Sequence, residues 1–171
     1  MYNKIMKVIK DFLPEDLIGF LYKYFWNLPH KWGHTSIPGA TDDIGKFYII
    51  PLDFSDPLMA YLCTRVEKVI DNQKVHFERM YVNVQHADME SNWHKDDGDL
   101  TALLMISPTL SPGTGCFEYS KDNKNYSIEF EQNKFILFDT KTGHRGRPPQ
   151  KGEGPRMTLA FKIFYLRPGS R

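Results

Sequence analysis

The chain has 171 residues, with 22 Lys and Arg against 21 Asp and Glu, so its formal charge is +1 with histidine neutral. Hydrophobic residues make up 41%, aromatic residues 14% and charged residues 25%, a globular composition that excludes disorder and fibrous repeats. The near-zero charge argues against a general nucleic-acid binder, because non-specific affinity for a polyanion comes from surplus Lys and Arg releasing counterions.

Met1 to Leu28 mixes charged with apolar residues and shows no uninterrupted apolar core and no small-residue cleavage site, so a signal peptide is not expected. No apolar stretch reaches the roughly 18 residues that a bilayer span needs. Cys63 and Cys116 read as reduced thiols, since a chain of this length does not need a disulfide to hold its core. The expectation is a soluble, cytoplasmic protein of one domain over residues 1–171, with helical support to about 74 and a β core over about 75–167.

The first predicted element is a helix after Asp11-Phe-Leu-Pro. Pro14 suits a first helical turn, Glu15 and Asp16 suit the positive end of the dipole, and Leu17, Phe20, Leu21, Tyr24 and Phe25 recur at helical spacing. Pro29 ends it. His30 to Gly45 is polar and rich in Gly, Pro, Thr and Asp, which predicts a loop, and Lys46 to Leu52 is a short strand. Asp56-Pro57 opens a second helix to about Asn72, with Leu58, Tyr61, Leu62, Arg65, Val66 and Val69 on one face.

Beyond Gln73 the pattern turns to β. Strands are predicted at Phe77 to Gln85, Thr101 to Ser107, Cys116 to Tyr119, Tyr126 to Phe130, Lys134 to Phe138 and Met157 to Leu166, separated by turn clusters such as Ser111-Pro-Gly-Thr-Gly and Lys121-Asp-Asn-Lys-Asn. Short strands at this spacing without intervening helices predict an α+β, mainly β chain: a sandwich or jelly roll with N-terminal supporting helices.

Three features in the β half point to chemistry. In His94-Lys95-Asp96, residues i and i+2 share a side of an extended backbone, so an imidazole nitrogen and a carboxylate oxygen can meet one metal while Lys95 points away. Alone, His-x-Asp is a common chance pattern. The second feature is His144, in Phe138-Asp-Thr-Lys-Thr-Gly-His, which by itself reads rather as a surface-loop histidine beside Arg145 and Arg147. Two histidines and one carboxylate form the facial triad of non-haem Fe(II), which leaves the opposite face open. The third is Arg156-Met157-Thr158, where a guanidinium and a hydroxyl on one strand face can converge on an anion; alone it is a strand-end arginine.

Taken together, in this order, these residues resemble the Fe(II)- and 2-oxoglutarate-dependent dioxygenases, whose double-stranded β-helix (a cupin-like jelly roll) carries His-x-Asp, a distal His and then an Arg or Lys. Fifty residues separate the two histidines, and twelve separate His144 from Arg156. The resemblance covers about Phe77 to Leu166, and the N-terminal helices are similar to those preceding the barrel in the prolyl 4-hydroxylase-like branch. It implies that His94, Asp96 and His144 hold the metal and that Arg156 with Thr158 secures the far carboxylate of 2-oxoglutarate. It further implies that Tyr81 and Asn83, on the polar face of Arg79-Met-Tyr-Val-Asn-Val-Gln, hydrogen-bond the co-substrate. Gln85 stands where many relatives carry an aromatic residue.

The implied reaction consumes 2-oxoglutarate and O2, releases succinate and CO2 and hydroxylates a C–H bond, with ascorbate as an accessory reductant. Gly-Thr-Gly before Cys116 and the Phe138-Asp139 approach to His144 look like the prolyl 4-hydroxylase type, so peptidyl proline leads as substrate, with a small free metabolite close behind. The nucleobase-demethylase branch shares an asparagine eleven places before the first histidine, as Asn83 stands, but the charge balance opposes a strong DNA binder. The alternative of another class is a non-catalytic metal-binding jelly roll, which would have no need of Arg156-x-Thr158. His30, His34, His76 and His86 read as solvated or packed, Trp93 as an entrance or packing residue, and Asp97 and Asp99 as poorer ligands than Asp96. Nothing in the sequence specifies an oligomer or a membrane attachment.

Overall fold

In a computed structural model, residues 6–35, 45–70 and 73–166 are described. Along the chain they form β1 (Met6–Ile9), α1 (Glu15–Trp26), β2 (Lys31–Thr35), β3 (Lys46–Pro51), α2 (Pro57–Glu67), β4 (Val75–Gln85), β5 (Leu100–Met105), β6 (Phe117–Lys121), β7 (Lys124–Ile128), β8 (Phe135–Asp139), β9 (His144–Gly146) and β10 (Arg156–Tyr165). A seven-stranded antiparallel sheet, ordered β1-β8-β5-β10-β4-β3-β2, faces a three-stranded sheet ordered β7-β6-β9. This is the expected jelly roll with two helices.

Period-two alternation sorts each long strand between two environments. On β4, Met80, Val82 and Val84 join Leu100, Leu104, Leu159 and Phe161 in a core against the helices, while on β5 and β8 Leu103, Met105, Ile136 and Phe138 meet Phe117 and Phe130 of the small-sheet side. The opposite face of β4 carries Tyr81, Asn83 and Gln85 to the cavity, as the alternation predicts. Register fixes the layers: β10 pairs Arg156 with Gln85, Thr158 with Asn83, Ala160 with Tyr81 and Lys162 with Arg79.

The helices carry their expected end signals. Glu15 and Asp16 occupy the first turn of α1, and Asp56 caps α2 by accepting from the Leu58 amide at 2.8 Å. Tyr24 Oη donates to Asp56 at 3.0 Å and ties the two helices together. Their buried faces are rotated from the predicted ones: Ile18, Leu21 and Phe25 are buried on α1, and Met59, Leu62, Cys63 and Val66 on α2, whereas Phe20 and Tyr61 are exposed. Both stripes are wide, and tertiary contact chooses which edge turns inward. Helix α2 ends at Glu67 with Lys68 as its cap, short of the expected Asn72, which lies outside the described residues.

The N-terminal half also holds more strand than expected. Met6–Ile9 pairs with β8, and Lys31–Thr35, within the predicted loop, pairs with β3. The rest of that loop, 36–44, lies outside the described residues. Both are edge strands, β1 held by a partner far along the chain and β2 by the next strand in an irregular register, so local pattern gives them little signature. Asn133 helps to anchor the N-terminal segment by bonding both the amide and the carbonyl of Leu13, at 2.9 and 2.7 Å. At the β6–β7 hairpin, Asp122 and Asn123 both take positive φ, as a two-residue primed turn requires.

Candidate active site

The segment before β5 is pinned beside β8 and β9 by backbone bonds. His94 and His144 exchange N–H···O bonds of 3.0 and 2.9 Å, and the Asp96 amide donates to the Thr140 carbonyl at 3.1 Å. Three side chains from two remote segments therefore converge, with ligand atoms of His94, Asp96 and His144 all within 4.8 Å of one another. His94 Nδ1 lies 2.9 Å from the Asn92 carbonyl and His144 Nδ1 2.9 Å from the Thr142 carbonyl. Because a carbonyl only accepts, each Nδ1 carries the proton and each Nε2 keeps its lone pair free. Those Nε2 atoms lie 3.7 and 3.5 Å from the Asp96 carboxylate oxygens.

Electrostatics favour the same protonation states. Burial lowers both histidines, His144 to about 4, against the pull of the Asp96 charge. Burial alone would raise Asp96, but the Lys162 ammonium and hydrogen bonds from Lys162 and Thr101 outweigh it and keep the carboxyl below its ordinary range. Two neutral imidazoles and one carboxylate suit a divalent transition metal with an open face.

These residues line a cavity of about 600 Å³ that also reaches Tyr81, Asn83, Gln85, Arg156, Thr158 and Lys162. At its deep end Arg156 is buried, with Nε donating to the Gly115 carbonyl at 2.7 Å, Nη1 donating to Gln85 Oε1 at 2.8 Å and the guanidinium 5.6 Å from the Phe130 ring centre. Among the described residues no carboxylate neutralises it. Burial lowers it to about 10, still far above neutrality, so the site holds a charged fork in want of an anion.

Thr158 is buried on the same face. Asn83 Oδ1 is buried without a hydrogen-bond partner, which marks its amide as a group awaiting a ligand or water. Tyr81 lines the wall, and burial, with the Asp96 charge nearby, pushes its phenol well above the ordinary range. Gln85 is committed to protein: besides Arg156 it bonds Ser91 Oγ at 2.8 Å and the Met89 carbonyl at 3.1 Å.

Several residues were underread in the sequence. His34 lines the cavity beside Phe47 and Tyr81, where burial lowers it. Lys162 touches Asp96, and Gly146 packs so closely that an added Cβ would lie 2.8 Å from the Arg156 guanidinium. The other candidates lie off the cavity's centre. His86 is exposed and stacks edge-on to Tyr48, Trp93 lies under Arg145, Asp97 pairs with Arg79 at 2.6 Å, and Asp99 accepts from the Tyr165 amide. Arg147 faces Glu90, as a loop cation does, but Arg145 is not in a loop: it lies on β9, opposite Glu118 of β6 and paired with it.

No protein-family model and no curated protein sequence matches the chain. Solved structures do. A Pseudomonas putida prolyl-4-hydroxylase is 14% identical with a TM-score of 0.72, covering 95% of this chain and 92% of its own. A Trichoplax adhaerens prolyl hydroxylase bound to a hypoxia-inducible-factor peptide is 16% identical, with a TM-score of 0.72 over 94% of this chain and 83% of its own. HygX from Streptomyces hygroscopicus, with nickel, 2-oxoglutarate and hygromycin B bound, is 15% identical, with a TM-score of 0.72 over 93% of this chain and 82% of its own. At such identities the likeness is one of architecture, and by architecture the chain has the jelly-roll fold of the 2-oxoglutarate/Fe(II) oxygenases.

Proposed function

We propose that this protein is an Fe(II)- and 2-oxoglutarate-dependent dioxygenase, with the whole chain as one catalytic domain. The observation that carries the reading is the pairing, within one cavity, of a His-Asp-His cluster with a buried guanidinium lacking a carboxylate partner. A metal alone would use only the first. A dicarboxylate that also ligates the metal uses both.

In this reading His94 and His144 offer Nε2 and Asp96 a carboxylate oxygen to Fe(II), while Arg156 and Thr158 take the far carboxylate of 2-oxoglutarate. The Asn83 side chain faces the co-substrate, to which only its Nδ2 can donate, and Tyr81 bounds it on the side of the triad. When bound, the metal, 2-oxoglutarate and dioxygen supply the oxidising power to hydroxylate a C–H bond, yielding succinate and carbon dioxide. The chain's own part is to hold the three ligands deprotonated at the metal-facing atoms and to fix the co-substrate at both ends. It also buries the Arg156 end of the cavity while the side beside Arg79, Lys95 and Asp97 stays open to a substrate.

For the substrate we favour peptidyl proline, supported by the architectural likeness to two prolyl hydroxylases. A small free molecule is the second reading, since HygX holds hygromycin B on the same architecture. No helix among the described residues is long and apolar enough to cross a membrane, and both cysteines are free, which fits a reducing compartment such as the cytoplasm. The test is succinate formation from 2-oxoglutarate by anaerobically Fe(II)-loaded protein on exposure to oxygen, with Asp96→Ala in parallel. Turnover by the wild type alone supports the reading, and added proline peptides should raise it and gain one oxygen atom by mass spectrometry. Failure to bind 2-oxoglutarate anaerobically in the presence of Fe(II) would overturn it.

A further inference from the structure

Lys162 is the cation that the proposed reaction leaves without a role. It stands on β10 six residues after Arg156, on the same strand face, with its side chain 5% exposed. The alternate residues Leu159, Phe161 and Ile163 are buried against the helices, so nothing about the strand's packing calls for an ammonium. Burying one costs several kcal/mol unless a partner compensates, and an apolar chain of similar volume would pack as well.

The compensation comes from Asp96. Lys162 Nζ forms an ion pair with Asp96 Oδ2 and lies 3.4 Å from Thr101 Oγ1, and that hydroxyl donates to the same Oδ2 at 2.6 Å. Thr101 stands opposite Lys162 in the β5–β10 register, so the two donors reach the carboxylate from neighbouring strands. Oδ2 is thus held twice. Oδ1, 3.7 Å from His94 Nε2, accepts neither of these bonds, while Oδ2 also lies 3.5 Å from His144 Nε2. Carboxylates that bind metals are oriented in this way by outer hydrogen bonds, and loss of such a partner typically weakens metal binding by about 10–100-fold.

We infer that Lys162 is a positioning residue. With Thr101 it clamps Asp96 Oδ2, so that the carboxylate is held toward the two histidine Nε2 atoms in one fixed orientation. The inference rests on the metal reading above and assigns Lys162 no contact with substrate. Its charge alone works the other way, because an ammonium repels a divalent cation. The two effects therefore predict opposite signs when the lysine is removed.

The experiment is a titration of the full-length, metal-free protein with Co(II), without 2-oxoglutarate, following the cobalt ligand-field bands. Lys162→Met, which keeps the length of the side chain, should weaken binding by about tenfold or more and alter the bands, while Lys162→Arg stays within about threefold of wild type. Thr101→Val removes the second donor at nearly constant size and should change affinity in the same direction, by less. It carries the test if Lys162→Met does not fold. Unchanged or tighter binding, with unaltered bands, in the folded Lys162→Met and Thr101→Val proteins would overturn the clamp and leave the metal reading standing. A folded wild type that takes up no cobalt would remove both.

Discussion

The two faces of the seven-stranded sheet are made by the same strands and do different work. On β10, Met157, Leu159, Phe161 and Ile163 pack against the helices, while Arg156, Thr158, Ala160 and Lys162 alternate with them toward the cavity. β4 repeats the division with Met80, Val82 and Val84 on one side and Tyr81, Asn83 and Gln85 on the other. On the helix side a residue is judged by the volume it fills, and on the cavity side by where it places a charge or a donor. A strand of period two can therefore carry a stability code and a chemical code in register, each open to change without rewriting the other.

That separation can be broken by substitution. The largest effect is expected from His94→Ala, which should abolish 2-oxoglutarate turnover to background in the succinate assay while the protein remains folded by circular dichroism; Asp96→Ala should abolish it too, but it also strips the buried Lys162 of its partner and so lowers stability. Phe161→Ala, only one strand position from Lys162, should do the reverse. It should cost about 3–5 kcal/mol in urea denaturation and leave turnover per folded molecule near wild type. If it instead removes activity from protein that is still folded, the two faces are coupled and the comparison fails. Arg156→Met sharpens the cavity side: loss of a charged hydrogen-bond partner, about 1.5–3 kcal/mol, should raise the KM for 2-oxoglutarate by roughly 10–100-fold and change kcat little at saturation.

Gly146→Ala should act on the same step from outside the strand. Its Cβ would lie 2.8–3.0 Å from three guanidinium atoms of Arg156, so the fork must shift, and a KM increase of about tenfold is expected. The most gradual effect is that of pH on the metal-free protein. Because burial puts folded His144 at about 4 against an ordinary 6.5, the unfolded chain takes up the proton first as pH falls. Stability should then be full above about 6.5 and decline towards about 4, by at most about 1.4 kcal/mol per pH unit for this group. His144→Gln should flatten that slope in acid-denaturation curves, and metal binding should weaken over the same window.

The jelly roll, most of its strands and the pairing of His94 with Asp96 were legible in the sequence because each leaves a local mark, whereas His144 joined them only through the order of motifs that the family resemblance supplies. The marks are period-two alternation, turn residues and two ligands spaced to share one side of an extended segment. The rest depended on partners remote in the chain. β1 is an edge strand whose existence is decided by β8. The helix faces turned by one edge of a wide stripe. Lys162 left a faint trace, a charge in the otherwise apolar run Leu-Ala-Phe-Lys-Ile-Phe, but its meaning needed the ion pair with Asp96, 66 residues away in the sequence. Gln85 as the support of Arg156, and Gly146 as the space beside it, had no local signature at all.

The reciprocal backbone bonds between His94 and His144 have a thermodynamic side. They fix the main chain at two metal-facing side chains before any ion arrives, so the ordering entropy of that pair is already spent in folding. An incoming ion has only side-chain rotation left to arrest, which favours uptake at a rate set by access and loss of hydration water over one set by chain closure. The same bonds make these two amides reporters. Their hydrogen exchange should already be slow in the metal-free protein and slow little further on metal addition, as in a lock whose jaws are closed before the key is turned.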